Sequence, residues 1–233
     1  MTIPNNIQSI QRTISKAEAA CHRQPGSVQL LAVSKGHSPE AIQQAFTAGL
    51  HHFGESYWQE AQVKIERLSS LSLCWHFIGP IQSNKTTGIA QKFAWVHSIS
   101  RLTIAQLLND ARPANVEPLN VCIQVNFDDE EKKTGIKPDS IAELALLIKR
   151  LPRLALRGLM CIPKRELNEQ QQYASFLRLT TLLHTLNEQL NLTMDTLSMG
   201  MSHDLSAAIR AGTTMIRVGQ GIFGERPTAR DKT

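Results

Sequence analysis

The sequence predicts an α/β fold, a single (β/α)8 TIM barrel with an extra N-terminal helix, on the strength of three observations. Strand-like segments alternate strictly with helix-like segments between residues 29 and 218. The strand-like segments are nearly continuous in apolar residues, as at 119–125, which is typical of parallel strands buried on both faces. Eight such repeats fit into about 200 residues, the size of a compact barrel.

The elements follow in order from an amphipathic first helix, because Ile7, Ile10, Ile14 and Ala17 share one face at helical spacing. The predicted strands are short apolar runs at residues 29–34, 51–54, 74–78, 95–98, 119–126, 155–161, 196–199 and 215–218. Segments with helical periodicity lie between them, joined by short turns that carry Gly, Pro or Asn, at residues 40–48, 57–68, 83–93, 102–110, 140–150, 169–190 and 202–211.

An open, doubly wound sheet is the alternative architecture. It would place a ligand at a switch point in the strand order, and no GxGxxG motif follows the first predicted strand. In a barrel, the functional residues are expected on the loops after the strands, at the C-terminal mouth. Lys35, directly after the first predicted strand, is then expected at the mouth.

Composition favours one domain over residues 1–233. Hydrophobic residues make up 42% of the chain, enough for a sizeable core, and no Gly/Ser/Pro-rich linker interrupts it. The four cysteines include no CxxC pair, the N-terminus has no continuous apolar stretch, and nowhere do about 18 apolar residues run together. These features predict a cytoplasmic protein with reduced thiols that is neither secreted nor membrane-spanning.

The net charge of +5 is spread along the chain rather than gathered into one basic run with interleaved aromatic residues. Nucleic-acid binding therefore rests only on the pI of 9.2. A small phosphorylated ligand needs only a few cations and a helix N-terminus. The charge permits such a ligand without identifying it.

Lys35 ends the first apolar run and is followed by Gly36 and a turn-forming Ser38-Pro39 pair. A lysine amine that points into a cleft is partly desolvated, which lowers its pKa and frees a nucleophilic lone pair. Such an amine can form a Schiff base. A solvated lysine at the end of a strand is the alternative, because most lysines are exposed.

Two turns after the last predicted strands indicate an anion site. Ser202 is predicted to be the N-cap of the helix at 202–211, where its hydroxyl and the free N–H groups of the first turn would face an anion. Gly219 and Gly221 follow the eighth strand, and their backbone can approach a ligand closely. Barrel enzymes often hold phosphate at these two loops. Ordinary helix capping and a C-terminal turn are the alternative.

Arg217 lies inside the eighth predicted strand. Strand alternation places it on the same face as Met215 and Gly219, opposite Ile216 and Val218, which suit packing against helices. The guanidinium is therefore expected inside the barrel, where it needs a partner. A structural salt bridge would supply one partner, and the nitrogen of a pyridine ring would be another.

A metal-hydrolase site is not predicted, although five histidines lie at or near strand ends. No HxH pair on the first strand, no HExxH motif and no close set of carboxylates accompanies them. One of these histidines, His76, is interpreted as a hydrogen-bonded residue of the mouth or the core. The five are His51, His52, His76, His97 and His203.

Seven stretches, spread over nearly the whole chain, match a known family in combination. They are LLAVSK at 30–35, FGESYWQE at 53–60, WHFIGPIQSNK at 75–85, KTGI at 133–136, LRGLMCIP at 156–163, LSMGMSHD at 197–204 and IRVGQGIFGER at 216–226. Together they resemble the pyridoxal phosphate homeostasis protein family, which is related to the barrel domain of alanine racemase (fold type III).

The resemblance implies that Lys35 carries pyridoxal 5'-phosphate (PLP) as a Schiff base. It also implies that Ser202, Gly219 and the neighbouring backbone hold the phosphate, and that Arg217 faces the pyridine nitrogen. The remaining cofactor-binding residues expected from it are Ser56, His76, Met201 and Gln220.

Two positions depart from the family pattern. Ser56 stands where the family usually has the asparagine of FGENY, so a shorter hydroxyl replaces any amide contact to the coenzyme. His37 stands where several relatives have a second lysine, which puts in doubt a transfer of coenzyme between paired lysines. Lys133 matches a family lysine and is the remaining candidate for a second amine, although Lys132 and Lys133 also suit a solvated turn.

The resemblance implies a carrier that contributes to intracellular PLP homeostasis and has no established catalytic reaction. Its expected partners are PLP and PLP-requiring apo-enzymes, without membrane or nucleic acid, and its expected assembly is a monomer or weak homodimer. A PLP-dependent amino-acid racemase is the alternative. Racemases of this fold add a second domain with a catalytic tyrosine. Here only a short segment follows Val218, and Tyr57 and Tyr173 lie in predicted helices, which favours the carrier.

Overall fold

The computed structural model describes residues 2–127, 134–164 and 168–226. Eight parallel strands close into a barrel in chain order, and the eighth strand pairs with the first. The predicted barrel is therefore confirmed, and each strand lies within one residue of its predicted bounds. The strands are Gln29–Val33 (β1), His52–Glu55 (β2), Cys74–Phe77 (β3), Trp95–Ile99 (β4), Leu119–Val125 (β5), Leu154–Cys161 (β6), Thr196–Ser198 (β7) and Met215–Val218 (β8).

Helices cover the outside of the barrel, and their apolar residues pack with those of the strands in one cluster. Short 3-10 turns at Ser83–Lys85 and Pro138–Ser140 precede the fourth and sixth α-helices. The α-helices of the described residues are Ile3–Ala20 (α1), Pro39–Thr47 (α2), Trp58–Arg67 (α3), Thr86–Lys92 (α4), Leu102–Ala111 (α5), Ile141–Lys149 (α6), Glu169–Leu190 (α7), Leu205–Arg210 (α8) and Gln220–Phe223 (α9).

The extra N-terminal helix, α1, packs against α2, α8 and α9. Its apolar face contributes Ile7 and Ile14 to the core, and the side-chain amide of Asn6 donates a hydrogen bond to the carbonyl of Ile222 at 2.9 Å. The helix thus braces the segment that follows β8. Within the described parts of the chain, no helix has both the length and the apolar character to cross a bilayer.

The prediction that Ser202 is a helix N-cap is wrong, because α8 begins only at Leu205. The carboxylate of Asp204 accepts a hydrogen bond from the backbone N–H of Met201, and the N–H of Asp204 donates to the Met201 carbonyl. These two bonds hold residues 201–204 in a turn. Ser202 is exposed within that turn.

The segment after β8 also differs from the prediction of a simple turn. It forms α9, a single helical turn in which the N–H groups of Ile222 and Phe223 donate to the Gly219 carbonyl. Four residues are too few to show helical periodicity in a sequence. The short helix places Gln220 and Gly221 in its first turn, at the end of β8.

Several polar side chains lie inside the barrel. Ile216 and Val218 belong to the cluster that packs on the helices, as predicted, whereas Arg217 between them is buried and points inward. His97 on β4 contacts Ser198 on β7, and since these strands are not neighbours, the contact must cross the barrel interior.

Candidate functional site

Lys35 lies at the mouth of the barrel, two residues after the end of β1, and is half-buried. The next residue, Gly36, has a φ of +80°, and a Cβ there would lie 3.0 Å from the Cδ of Arg226, so this arginine packs over the turn. Burial lowers the pKa of Lys35, the charge of Arg226 lowers it further, and the carboxylate of Glu55 opposes the shift. A larger fraction of the amine is therefore neutral and nucleophilic than in a solvated lysine.

A buried ion cluster holds the backbone on both sides of this lysine. The Lys64 ammonium donates to the Ser34 carbonyl at 2.8 Å, to Glu55 Oε1 at 2.7 Å and to Glu60 Oε1 at 2.5 Å. The Ser34 hydroxyl donates to Glu55 Oε1 at 2.6 Å, and the N–H of Gly36 donates to Glu60 Oε1 at 2.5 Å. The cluster therefore fixes the backbone position from which the Lys35 side chain projects.

Glu55 is buried at the end of β2, and its Oε2 has no hydrogen-bond partner among the described residues. Burial raises the pKa of this carboxyl, while the adjacent Lys64 ammonium opposes the rise. Sequence analysis did not single out Glu55 or Lys64 as site residues. Two signals were present, because FGESYWQE contains Glu55 and Glu60, and Lys64 lies one helical turn after Glu60.

Arg217 projects into the barrel from β8. Its Nη1 donates to the Ser198 hydroxyl at 2.8 Å and its Nη2 to the Cys161 carbonyl at 2.9 Å. Both of these acceptors are neutral oxygens, and within the described residues the guanidinium forms no ion pair. Its charge lowers the pKa of Lys35, so the guanidinium acts on the amine at the mouth.

A chain of hydrogen bonds continues from Ser198 through two buried histidines. His97 Nδ1 lies 2.8 Å from the Ser198 hydroxyl, and His97 Nε2 lies 3.0 Å from His76 Nδ1. Burial lowers the pKa of His97 to about 3 and that of His76 well below its usual range, so both rings are neutral. His76 is a core residue, and hydrogen bonds through His97 and Ser198 connect it to Arg217.

The loops after β7 and β8 meet at the mouth. A Cβ on Gly221 would lie 3.2 Å from the Ser202 hydroxyl, and a Cβ on Gly219 would lie 3.2 Å from the carbonyl oxygen of Val33. Ser202 and Gln220 are exposed. The structure therefore brings this predicted anion site beside the end of β1, the strand that leads to Lys35.

The other predicted site residues are distributed around the mouth. Ser56 follows β2 and is buried, with its carbonyl so close to Gly79 that a Cβ there would lie 2.0 Å away. Met201 is half-buried, and its backbone N–H is already bonded to Asp204. His37 is buried and stacks on Phe223, with ring centroids 4.9 Å apart. Lys132 and Lys133 lie outside the described residues.

Comparison with known proteins agrees with this architecture. The family model described as alanine racemase, N-terminal domain, matches residues 5–227. The chain belongs to this family. Alanine racemase from Corynebacterium glutamicum has the same fold, with a TM-score of 0.72 at 15% identity, and the match covers 97% of this chain but 62% of the racemase. That likeness concerns the fold alone.

More similar relatives are named pyridoxal phosphate homeostasis proteins, and one similar structure contains PLP. The pyridoxal phosphate homeostasis protein of Pseudomonas aeruginosa is 51% identical over 97% of this chain and 96% of its own. The protein of that name from Vibrio alginolyticus is 49% identical over 97% and 98%. PipY of Synechococcus elongatus, solved with PLP bound, superposes with a TM-score of 0.80 at 34% identity, over 91% of this chain and all of PipY.

Proposed function

We propose that this protein binds PLP at the barrel mouth and acts as a carrier in PLP homeostasis. The observation that carries the proposal is the half-buried Lys35, whose pKa is lowered, beside the paired turns at the ends of β7 and β8. The names of the relatives and the PLP-bound structure of PipY support the same ligand. The proposal includes one domain over residues 1–233, a cytoplasmic location, and a monomer or weak homodimer.

The residues present fit the coenzyme group by group. Lys35 would bond the aldehyde carbon as a Schiff base, and Ser202 with the backbone at Gly219 and Gln220 would hold the phosphate. A glycine at 219 leaves room between the backbone and the ligand that a side chain would fill. Arg217 would face the pyridine nitrogen from inside the barrel. Ser56, Met201 and, indirectly, His76 would complete the site.

PLP supplies an aldehyde that bonds amines and a ring that can accept electrons from the bonded carbon. The residues around it favour holding the coenzyme over using it. Arg217 keeps its protons at accessible pH, so it does not protonate a ring nitrogen. Tyr57 is 57% exposed at the start of α3. The guanidinium carbon of Arg210 lies 4.1 Å from the centroid of the Tyr173 ring. Neither is in evident position to act as a second base opposite Lys35.

The proposal predicts a yellow protein without amino-acid turnover. Purified protein incubated with PLP is expected to show a visible absorption band that borohydride bleaches, because reduction fixes the Schiff base. The loaded protein is expected to deliver PLP to an apo-enzyme, measured as recovered activity of that enzyme. With alanine or serine, racemisation and decarboxylation should stay at the background of free PLP. Turnover that rises with protein concentration would instead favour the racemase.

Affinity for PLP is expected to depend on the paired turns. Ser202→Ala should weaken PLP binding by about 1–3 kcal/mol, the range for losing a hydrogen bond to a charged group. Gly219→Val should weaken it more, because its Cβ would lie 3.2 Å from the Val33 carbonyl and the side chain would block the backbone. Absorbance titration measures both, with the exposed Ser206→Ala as the matched control. Equal affinity in all four proteins would place the phosphate elsewhere.

A further inference from the structure

Three potential metal ligands gather at the end of the barrel opposite the mouth. His52 is the first residue of β2 and Cys74 is the first residue of β3, and the two are paired in the strand register. His76 lies two residues after Cys74, so alternation places both side chains on the interior face. Both His52 and Cys74 are half-buried, whereas His76 is fully buried.

Two of the three separations between the ligand atoms are close to those of a metal site. His76 Nε2 lies 3.0 Å from His52 Nδ1 and 3.4 Å from Cys74 Sγ, and the ligand atoms all lie within 4.8 Å of one another. Bonds of about 2.05 Å to nitrogen and 2.3 Å to sulfur at a tetrahedral ion correspond to separations of about 3.4 Å and 3.6 Å. An ion would fit after shifts of a few tenths of an ångström along these two contacts and an approach of His52 Nδ1 and Cys74 Sγ, which lie within 4.8 Å, to about 3.6 Å.

We propose that His52, Cys74 and His76 form a binding site for Zn²⁺ at the N-terminal end of the barrel. Imidazole and thiolate ligands suit Zn²⁺, whereas Mg²⁺ and Ca²⁺ require oxygen ligands. This departs from the sequence analysis, which gave no metal site. Water would fill the fourth position, because two of the three ligands are partly open to solvent.

Zinc binding here is an exchange of one proton for one cation. Burial raises the pKa of the Cys74 thiol to about 11, so the thiol is protonated in the absence of a metal. When the S–Zn bond forms, the S–H bond breaks and the proton leaves to solvent, with no change of oxidation state. Both histidines bind as neutral rings through a nitrogen lone pair.

The surroundings of His76 orient it as a ligand. A metal-binding histidine usually donates its second ring N–H to an acceptor, and His76 Nδ1 lies 3.0 Å from His97 Nε2. The Trp95 ring stacks on His76, with centroids 5.5 Å apart and planes inclined by 9°. These contacts fix the plane of the imidazole and leave Nε2 directed at His52 and Cys74.

A surface cavity reaches one of the three ligands, His52, at the same end. The cavity measures about 540 Å³ and is lined by His52 and by neighbouring residues at the starts of β1 and β2, among them Gln29, Gly49, Leu50 and His51. The mouth with Lys35 lies at the other end of the strands. Zinc binding is therefore expected not to require Lys35.

Cobalt titration tests the site, because Co²⁺ takes the place of Zn²⁺ and reports thiolate ligation by a charge-transfer band. Chelator-treated, reduced full-length protein is expected to bind one Co²⁺ with this band and to lose it when Zn²⁺ is added. Cys74→Ser should abolish the band, and His52→Gln should weaken Co²⁺ binding by more than about 100-fold, since losing even a supporting contact costs about 10–100-fold. Circular dichroism checks the fold of each variant.

Two matched controls and one variant of the mouth make the result specific. Cys21→Ser removes another half-buried thiol and His203→Gln an exposed histidine, and both should bind Co²⁺ as the unsubstituted protein does. Lys35→Ala should also retain binding, which separates this site from the proposed function. The site would be refuted by absence of Co²⁺ binding, by a band that persists in Cys74→Ser, or by a band lost in Cys21→Ser.

Discussion

Lys35→Ala is expected to reduce the visible PLP band and the borohydride-fixed coenzyme to background while leaving the barrel folded. The change removes the amine that the sequence and the structure both place at the mouth. The side chain is half-buried and forms no hydrogen bond with another described residue, so its loss leaves no buried group without a partner. Absorbance, peptide mapping after reduction and circular dichroism measure the three parts of the result.

The lowered pKa of Lys35 gives this prediction a pH dependence. Only the neutral amine attacks an aldehyde, and a lowered pKa means that the neutral form persists to a lower pH than in an ordinary lysine. The rate of Schiff-base formation should therefore exceed that of an exposed lysine at pH 7–8 and decline as the pH falls through the lowered pKa. Arg226→Met should raise that pKa by removing the second-largest cause of the shift.

Lys85→Ala is the matched control, because this lysine also follows a strand on the mouth side of the barrel. It should retain the band and the rate. If Lys35→Ala kept the band and the reduced coenzyme mapped to Lys85 or Lys133, the assignment of the Schiff-base lysine would be wrong.

The barrel could be predicted because its physical causes are local and repetitive. Each buried strand is an apolar run of a few residues, and each covering helix shows its own periodicity, so eight repeats appear directly in the sequence. Alternation within β8 placed Arg217 inside, and the structure confirms that orientation. The anion site was predicted from its glycines, whose use is also local, and it stays a prediction.

The prediction failed where the cause lies in side-chain competition or tertiary contact. The sequence pattern extends helical periodicity back to Ser202. In the structure the Asp204 carboxylate accepts a hydrogen bond from the Met201 N–H, and α8 begins only at Leu205. The cluster around Lys64 joins residues of β2 and α3 to the turn after β1. Lysines are rarely buried, so no composition or spacing rule indicates that this one is.

The partners of the buried histidines could not be predicted from the sequence for a related reason. A search for HxH and HExxH looks along one strand or helix, whereas His52 and Cys74 come from neighbouring strands and meet through the register of the barrel. His97 and Ser198 come from opposite sides. Once the closed barrel is known, a histidine that alternates inward can be paired with residues far away in sequence.

Lys64→Met is expected to destabilise the protein by about 3–5 kcal/mol, the cost of leaving one member of a buried ion pair without its partner. Lys64 is 3% exposed and Glu55 is fully buried, so the carboxylate that remains gains little hydration. The Ser34 carbonyl also loses a donor. Urea denaturation measures the change in the free energy of unfolding, and the exposed Lys92→Met should change it by less than about 0.5 kcal/mol.

The sign of the pH dependence separates a charge effect from a packing effect. Removal of the ammonium should raise the pKa of Glu55 further, because the ammonium is the main group that opposes the effect of burial. A carboxyl whose folded-state pKa is raised costs stability when ionised, so the penalty is present above that pKa and absent below the unfolded pKa of about 4.3. The deficit of Lys64→Met relative to the unsubstituted protein should therefore shrink as the pH falls, and adding Glu55→Gln should recover most of it at pH 7. A deficit that stays constant with pH and survives Glu55→Gln would show that Lys64 contributes by packing and by its hydrogen bond to Ser34, and that the buried charge is stabilised by other means.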